Sequence, residues 1–194
     1  MISKKFLAYL FKFLVFFCVL YYGTLAVIGL AVPGGYYSPF FAKYLNYIAG
    51  LRYFLLHGSR IFLSLLGYKT IVDGVYTLRF VGGNGVHVVY SCIGYGVLSF
   101  WGAFVLANRG KVVEKMKWLL GGWLIIYFIN VIRISLFLIS INKKWPLPFH
   151  MNHHTLFAIA AYTAILILIF FYDKSHKTKQ DTVQSDTIID VEKR

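Results

Sequence analysis

Tyr90-Ser91-Cys92-Ile93-Gly94-Tyr95-Gly96 joins a short polar, glycine-rich segment to a long apolar run. The junction reads as the start of a membrane helix, with Cys92 in its first turn near the water boundary. The first four N–H groups of a helix have no intrahelical partner and favour negative charge nearby. A thiol there is expected to ionise more readily than one in the bilayer core. Upstream, Val75–Val81 and Val86–Tyr90 are rich in β-branched and aromatic residues and flank Gly82-Gly83-Asn84-Gly85, four turn formers. That pattern predicts a β-hairpin that delivers the chain straight into Cys92.

Composition supports the membrane reading. Of 194 residues 59% are hydrophobic and 19% aromatic, with a mean hydropathy of +0.67. That is too apolar for a soluble domain of this length. Lys and Arg number 20 against 7 Asp and Glu, a formal net charge of +13. The basic residues flank the apolar runs, so they set membrane orientation rather than bind nucleic acid. Cys18 lies in mid-run and reads as inert packing.

Working outward gives four spans, at about 6–32, 93–108, 118–141 and 155–172, in one membrane-embedded domain over 1–172. The segment 173–194 is polar and mixed in charge, which predicts a disordered cytoplasmic tail. The run to Val32 is too long for a signal-peptide core. Arg109, Lys111, Lys115 and Lys117 mark the cytoplasmic loop. Between the first span and the hairpin, Ser38–Leu66 carries Lys43, Arg52, His57 and Arg60. Leu51, Phe54, Leu55, Phe62, Leu65 and Leu66 form a stripe at helical spacing. This segment is expected to be an amphipathic helix at the outer interface, kinked at Gly50 or Gly58, or else two short passes. The fold class is thus an all-α integral membrane protein: about four transmembrane helices, an extracytoplasmic amphipathic helix and a small β-hairpin. The count puts Cys92, the outer end of the third span and His153-His154 on one side of the membrane.

Arg133 lies within the third span, about two turns from its outer end. An arginine there costs a few kcal/mol or more (~3 upward) unless it is paired or reaches water. No acidic residue lies within the spans, so a thiolate or a carbonyl oxyanion would suit it. Asn130, three residues earlier, shares its helix face and can orient it or donate a second hydrogen bond. His153 and His154 open the fourth span, and a neutral imidazole near a thiolate is the expected general base. His150 adds a third histidine at ligand spacing, but no carboxylate completes a metal set. No metal or cofactor is therefore expected.

The ordered set Cys92-x-Gly94, Asn130-x-x-Arg133-Ile134 and His154 four residues before Ala158 resembles the exosortase/archaeosortase family of membrane cysteine transpeptidases. The match spans about Gly67 to Tyr172. Ile93 stands where the family usually has serine, and Ala158 where it has glycine. The resemblance implies a Cys92–Arg133–His154 site facing the periplasm or exterior, in a multi-pass protein of the inner, cytoplasmic membrane. His153 is the fallback for His154, and Asn130 supports. It implies partners too: exported proteins with a C-terminal motif, a transmembrane helix and a basic tail, and a surface acceptor. The enzyme would cut near the motif, hold the product as a thioester and pass it on. Members are often linked to exopolysaccharide production. The rival from another class is a non-enzymatic membrane component of a polysaccharide export system. In that reading Arg133 contacts lipid headgroups or protein and Cys92 is packing.

Overall fold

The computed structural model describes residues 4–32, 36–143, 159 and 162–175. Helix α1, Lys4–Ala31, is apolar on every side, and Phe6, Leu7, Phe11 and Val19 are all exposed on it. That is the signature of a helix whose solvent is lipid. Cys18 is exposed as well, so it faces outward rather than packing inside. Helix α4, Val112–Lys143, is the second element long and apolar enough to cross a bilayer. Helix α3, Tyr95–Ala107, has 13 residues. At 1.5 Å per residue it is about 20 Å long, short of the ~30 Å hydrocarbon core. Residues 162–175 are helical too. The two long spans and the short α3 thus stand where three of the four full spans were expected, and of the fourth, 155–172, residues 159 and 162–172 are described and helical.

The segment after α1 doubles back on the bundle. Ser38 donates back to the Leu30 carbonyl at 2.8 Å, and a single π turn at Phe41–Leu45 runs back along α1. Tyr47 Oη meets Thr24 Oγ1 at 2.7 Å, seven residues into α1 from its end. There Asn46 caps helix α2, Tyr47–Leu65, by accepting from the Ala49 amide at 3.1 Å. Helix α2 then climbs alongside α4. Tyr127 Oη donates to the Phe54 carbonyl at 2.9 Å and Ser59 Oγ to that of Val131 at 3.4 Å. The segment therefore runs back along α1 and returns along α4, so that α2 packs against the bundle. Its break falls at Asn46; Gly50 and Gly58 lie within the unbroken α2.

The apolar stripe is split between the faces of this segment. Phe54, Leu65 and Leu66 are exposed, Leu51 and Phe62 are half-buried against the core, and Leu55 is buried beside Ile48, Arg52, Leu56, Ser59 and Leu63. Arg52 and Ser59 therefore share the inward face with apolar side chains.

Three strands follow: β1 (Thr70–Asp73), β2 (Thr77–Phe80) and β3 (Gly85–His87), antiparallel in the order β1-β2-β3. The expected hairpin is β2–β3, with Leu78 opposite Val86. β1 is an addition, paired Asp73 to Thr77 around Gly74. The sheet is fastened to the end of α4 by one side chain. Asn142 accepts from the Asn84 amide at 2.8 Å and donates to the Asn84 carbonyl at 3.2 Å. Beneath it lies an aliphatic core of Leu55, Leu63, Leu78, Val88, Ile134 and Leu138 with their neighbours. A second core, around Trp101, Leu119, Leu168 and Tyr172, fills the other end of the bundle.

Candidate functional site

Cys92 does not sit in the first turn of α3. It belongs to a 3-10 turn, Tyr90–Ile93, that precedes the helix; its amide donates to the Val89 carbonyl at 2.9 Å. Gly94 ends this turn in the left-handed region, φ 76°, and caps α3 by accepting from the Leu98 amide at 3.0 Å. The cysteine is half-buried against the aliphatic core that includes Ile93, Val131 and Ile134.

Of the residues singled out in the sequence, the structure brings Asn130 to this turn. Asn130 is buried, and its Nδ2 donates to the Ile93 carbonyl at 3.1 Å. That carbonyl follows Cys92 directly, so α4 fastens the cysteine's turn with one buried hydrogen bond. The contact also explains Gly94 twice over. A side chain there would be strained at positive φ, and its Cβ would stand 2.6 Å from Asn130 Nδ2. Arg133, three residues along α4, is half-buried. His150, His153 and His154 lie outside the described residues. Among the described residues no cluster of His, Cys, Asp and Glu is fit to hold a metal ion.

Below the turn is a cavity of about 690 Å³. Helices α1 to α4 each contribute to its wall: Leu20 and Thr24 from α1, Leu51 from α2, Leu98 from α3, and Trp123 and Asn130 from α4. It is overwhelmingly apolar, and it reaches the Cys92 turn through Ile93.

One polar residue of the neighbourhood escaped the sequence reading. Arg52 was grouped with the interfacial cations, yet it is only 3% exposed. Its guanidinium carbon lies 4.3 Å from the ring centre of Tyr90, at the start of the cysteine's turn, and 4.7 Å from that of Tyr76. The signal was its spacing. Ile48, Arg52, Leu55 or Leu56, Ser59 and Leu63 recur every three or four residues, one face of a helix.

These elements define a helical membrane protein with a half-buried thiol in a tight turn at one end of its bundle, tied to a buried amide on a neighbouring helix. The sequence model of the transmembrane exosortase family matches residues 6–174. The chain belongs to that family, whose members are in general membrane cysteine transpeptidases. No curated protein and no solved structure matches it.

Proposed function

We propose that the protein is a sorting transpeptidase in which Cys92 is the nucleophile. The substrates are exported proteins that end in a recognition motif, a membrane helix and a basic tail. The observation that carries this reading is the construction of the cysteine's turn. A 3-10 turn closed by a left-handed glycine and hydrogen-bonded to Asn130 holds one thiol in one place. Family membership supplies the reaction class.

In this mechanism the Cys92 thiolate attacks the carbonyl carbon of the scissile peptide. A C–S bond forms, and the electron pair of the carbonyl moves to oxygen. Arg133 stabilises that oxyanion, or the thiolate before it, with its planar fork of N–H donors. The C–N bond then breaks as His154 passes the proton it took from the thiol to the departing amine. The thioester that remains is resolved by a hydroxyl or amine of the surface acceptor, with His154 taking that group's proton. Asn130 positions the turn. The cavity beneath Ile93 offers apolar walls to side chains next to the cleaved bond. The hairpin end faces the exterior, because Arg109, Lys111, Lys115 and Lys117 gather at the opposite end of α3 and α4.

The test is cleavage of a co-expressed substrate bearing a C-terminal sorting signal, measured at equal enzyme levels. Cys92→Ala is expected to accumulate normally and release no product, and product from that variant would end the cysteine mechanism. His154→Ala should lose about 10²–10⁴ in rate, the usual worth of a general base. His153→Ala should lose much less. The reverse pattern would move the base to His153.

A further inference from the structure

The mechanism leaves Arg52 unused, and its setting is unusual. The residue is 3% exposed, and Nε is sealed from solvent with no hydrogen-bond partner. Its contacts are the two tyrosine rings, Tyr90 at 4.3 Å and Tyr76 at 4.7 Å. Among the described residues no carboxylate accompanies it; Asp173 lines a cleft at the far end of the bundle. The sequence has no Asp or Glu before Asp73 and none from Gly74 to Val113. Asp73 itself is bound to Arg79 at 3.2 Å. Glu114 belongs to the first turn of α4, at the far end of the bundle.

A buried guanidinium without an anion is a costly thing to keep. Cation–π contact with two rings offsets part of the cost and also covers the faces of the group. What stays unused is the Nε–H, which like the other guanidinium donors lies in the plane of the group and points from its edge. A flat fork of that kind matches two oxygens on one centre. Lipid tails, sugar hydroxyls and cations lack that feature, whereas carboxylates and phosphates have it.

We infer that Arg52, clamped between Tyr76 and Tyr90, is an oxyanion-binding subsite beside the Cys92 turn, taking a phosphate or carboxylate from a ligand. Tyr90 links the two places, since it stacks on Arg52 and begins the 3-10 turn that carries Cys92. An anion on Arg52 is thereby held two residues away along the chain from the thiol. The subsite does not depend on Cys92 being a nucleophile.

The chain has six arginines, so arginine-labelled protein gives few side-chain Nε–H resonances. The experiment is an NMR titration of the full chain in maltoside micelles, which carry no phosphate, with the Arg52 signal assigned by its loss in Arg52→Met. One arm adds inorganic phosphate or acetate, and the other adds short-chain phosphatidylglycerol. A saturable shift of the Arg52 resonance in either arm is the expected result. A shift with lipid alone names a headgroup as the source, and a shift in both arms means that a soluble oxyanion suffices. No saturable shift in either arm overturns the inference. Cys92→Ala should titrate like the wild type, so a failed cleavage mechanism would leave this result standing. Arg52→Lys keeps the charge and loses the fork. Titrating that variant with the same additions, followed at the isotope-labelled ammonium of the substituted side chain, should show affinity lowered about tenfold or more. Unchanged affinity in that variant would also overturn the fork argument.

Discussion

The two ends of the bundle are built from different materials. At the end away from the hairpin, aromatic residues fill the core, and two of their indole N–H groups are spent on backbone. Trp101 Nε1 donates to the Trp118 carbonyl and Trp123 Nε1 to that of Leu98, both at 3.1 Å. The indole of Trp101 lies where any side chain at position 122 would stand, so Gly122 is what lets α3 and α4 close up. Asn108 and Lys115 take up the last carbonyls of α3, those of Phe104 and Leu106. At the hairpin end the core is aliphatic and the polar groups are not all spent on the fold. Arg52 keeps its Nε–H, Gly94 is held at positive φ, and a cavity stands next to the cysteine's turn. The first end is closed by indole–backbone hydrogen bonds, with a cleft of about 820 Å³ lined by Tyr9, Lys12, Asn108 and Tyr172 beside it. At the other, the buried Nε of Arg52 and the left-handed Gly94 flank the cysteine's turn.

Substitutions can break this contrast. The largest effect after the cysteine and histidine variants is expected from Arg133→Lys. It should lower cleavage about 10²-fold if the arginine serves the oxyanion, with protein levels unchanged. Near-normal cleavage would take Arg133 out of the chemistry and leave it a structural cation.

Gly94→Ala should come next, and it should act on both stability and turnover. A left-handed L-residue costs ~1–2 kcal/mol, and the methyl must also push Asn130 off the Ile93 carbonyl. Thermal unfolding in detergent, read together with cleavage per folded molecule, checks this. A variant that loses stability but keeps full turnover would show that the turn's shape is not what the site needs.

Trp101→Phe is the matching change at the closed end and the smallest expected effect. It removes one indole hydrogen bond, worth ~0.5–1.5 kcal/mol, and should leave turnover per folded molecule untouched. A large loss of turnover there would erase the distinction between the ends.

Several features were legible because local chemistry dictates them. Gly82-Gly83-Asn84-Gly85 between two β-branched runs gave the β2–β3 turn, and hydropathy gave α1 and the body of α4. Strand β1 was legible too but was not read: Asp73-Gly74 between Thr70-Ile71-Val72 and Val75-Tyr76-Thr77 is a turn signal of the same kind. The inward face of α2 was not legible from its apolar stripe, because the stripe does not single it out: Leu55 is buried, Phe54 and Leu65 are exposed, and the buried face also carries Arg52 and Ser59. The position of Cys92 was off by one structural step, because nothing local separates a 3-10 turn plus a left-handed glycine from the first turn of a helix. Asn130 was chosen for its neighbour Arg133, and its bond to Ile93 could not be read from spacing along one helix, since the two residues are 37 apart.

The fastening of the cysteine's turn also sets an order of events during synthesis. Asn130 and Asn142, which tie down Ile93 and the β2–β3 turn, lie 37 and 58 residues further along the chain than the groups they hold. Chains grow from the N-terminus and fold as their partners emerge. A nascent polypeptide that has made Cys92 but not the second half of α4 owns the thiol without its mooring. The thiol of Cys92 is therefore moored only after the helix that restrains its turn has been made.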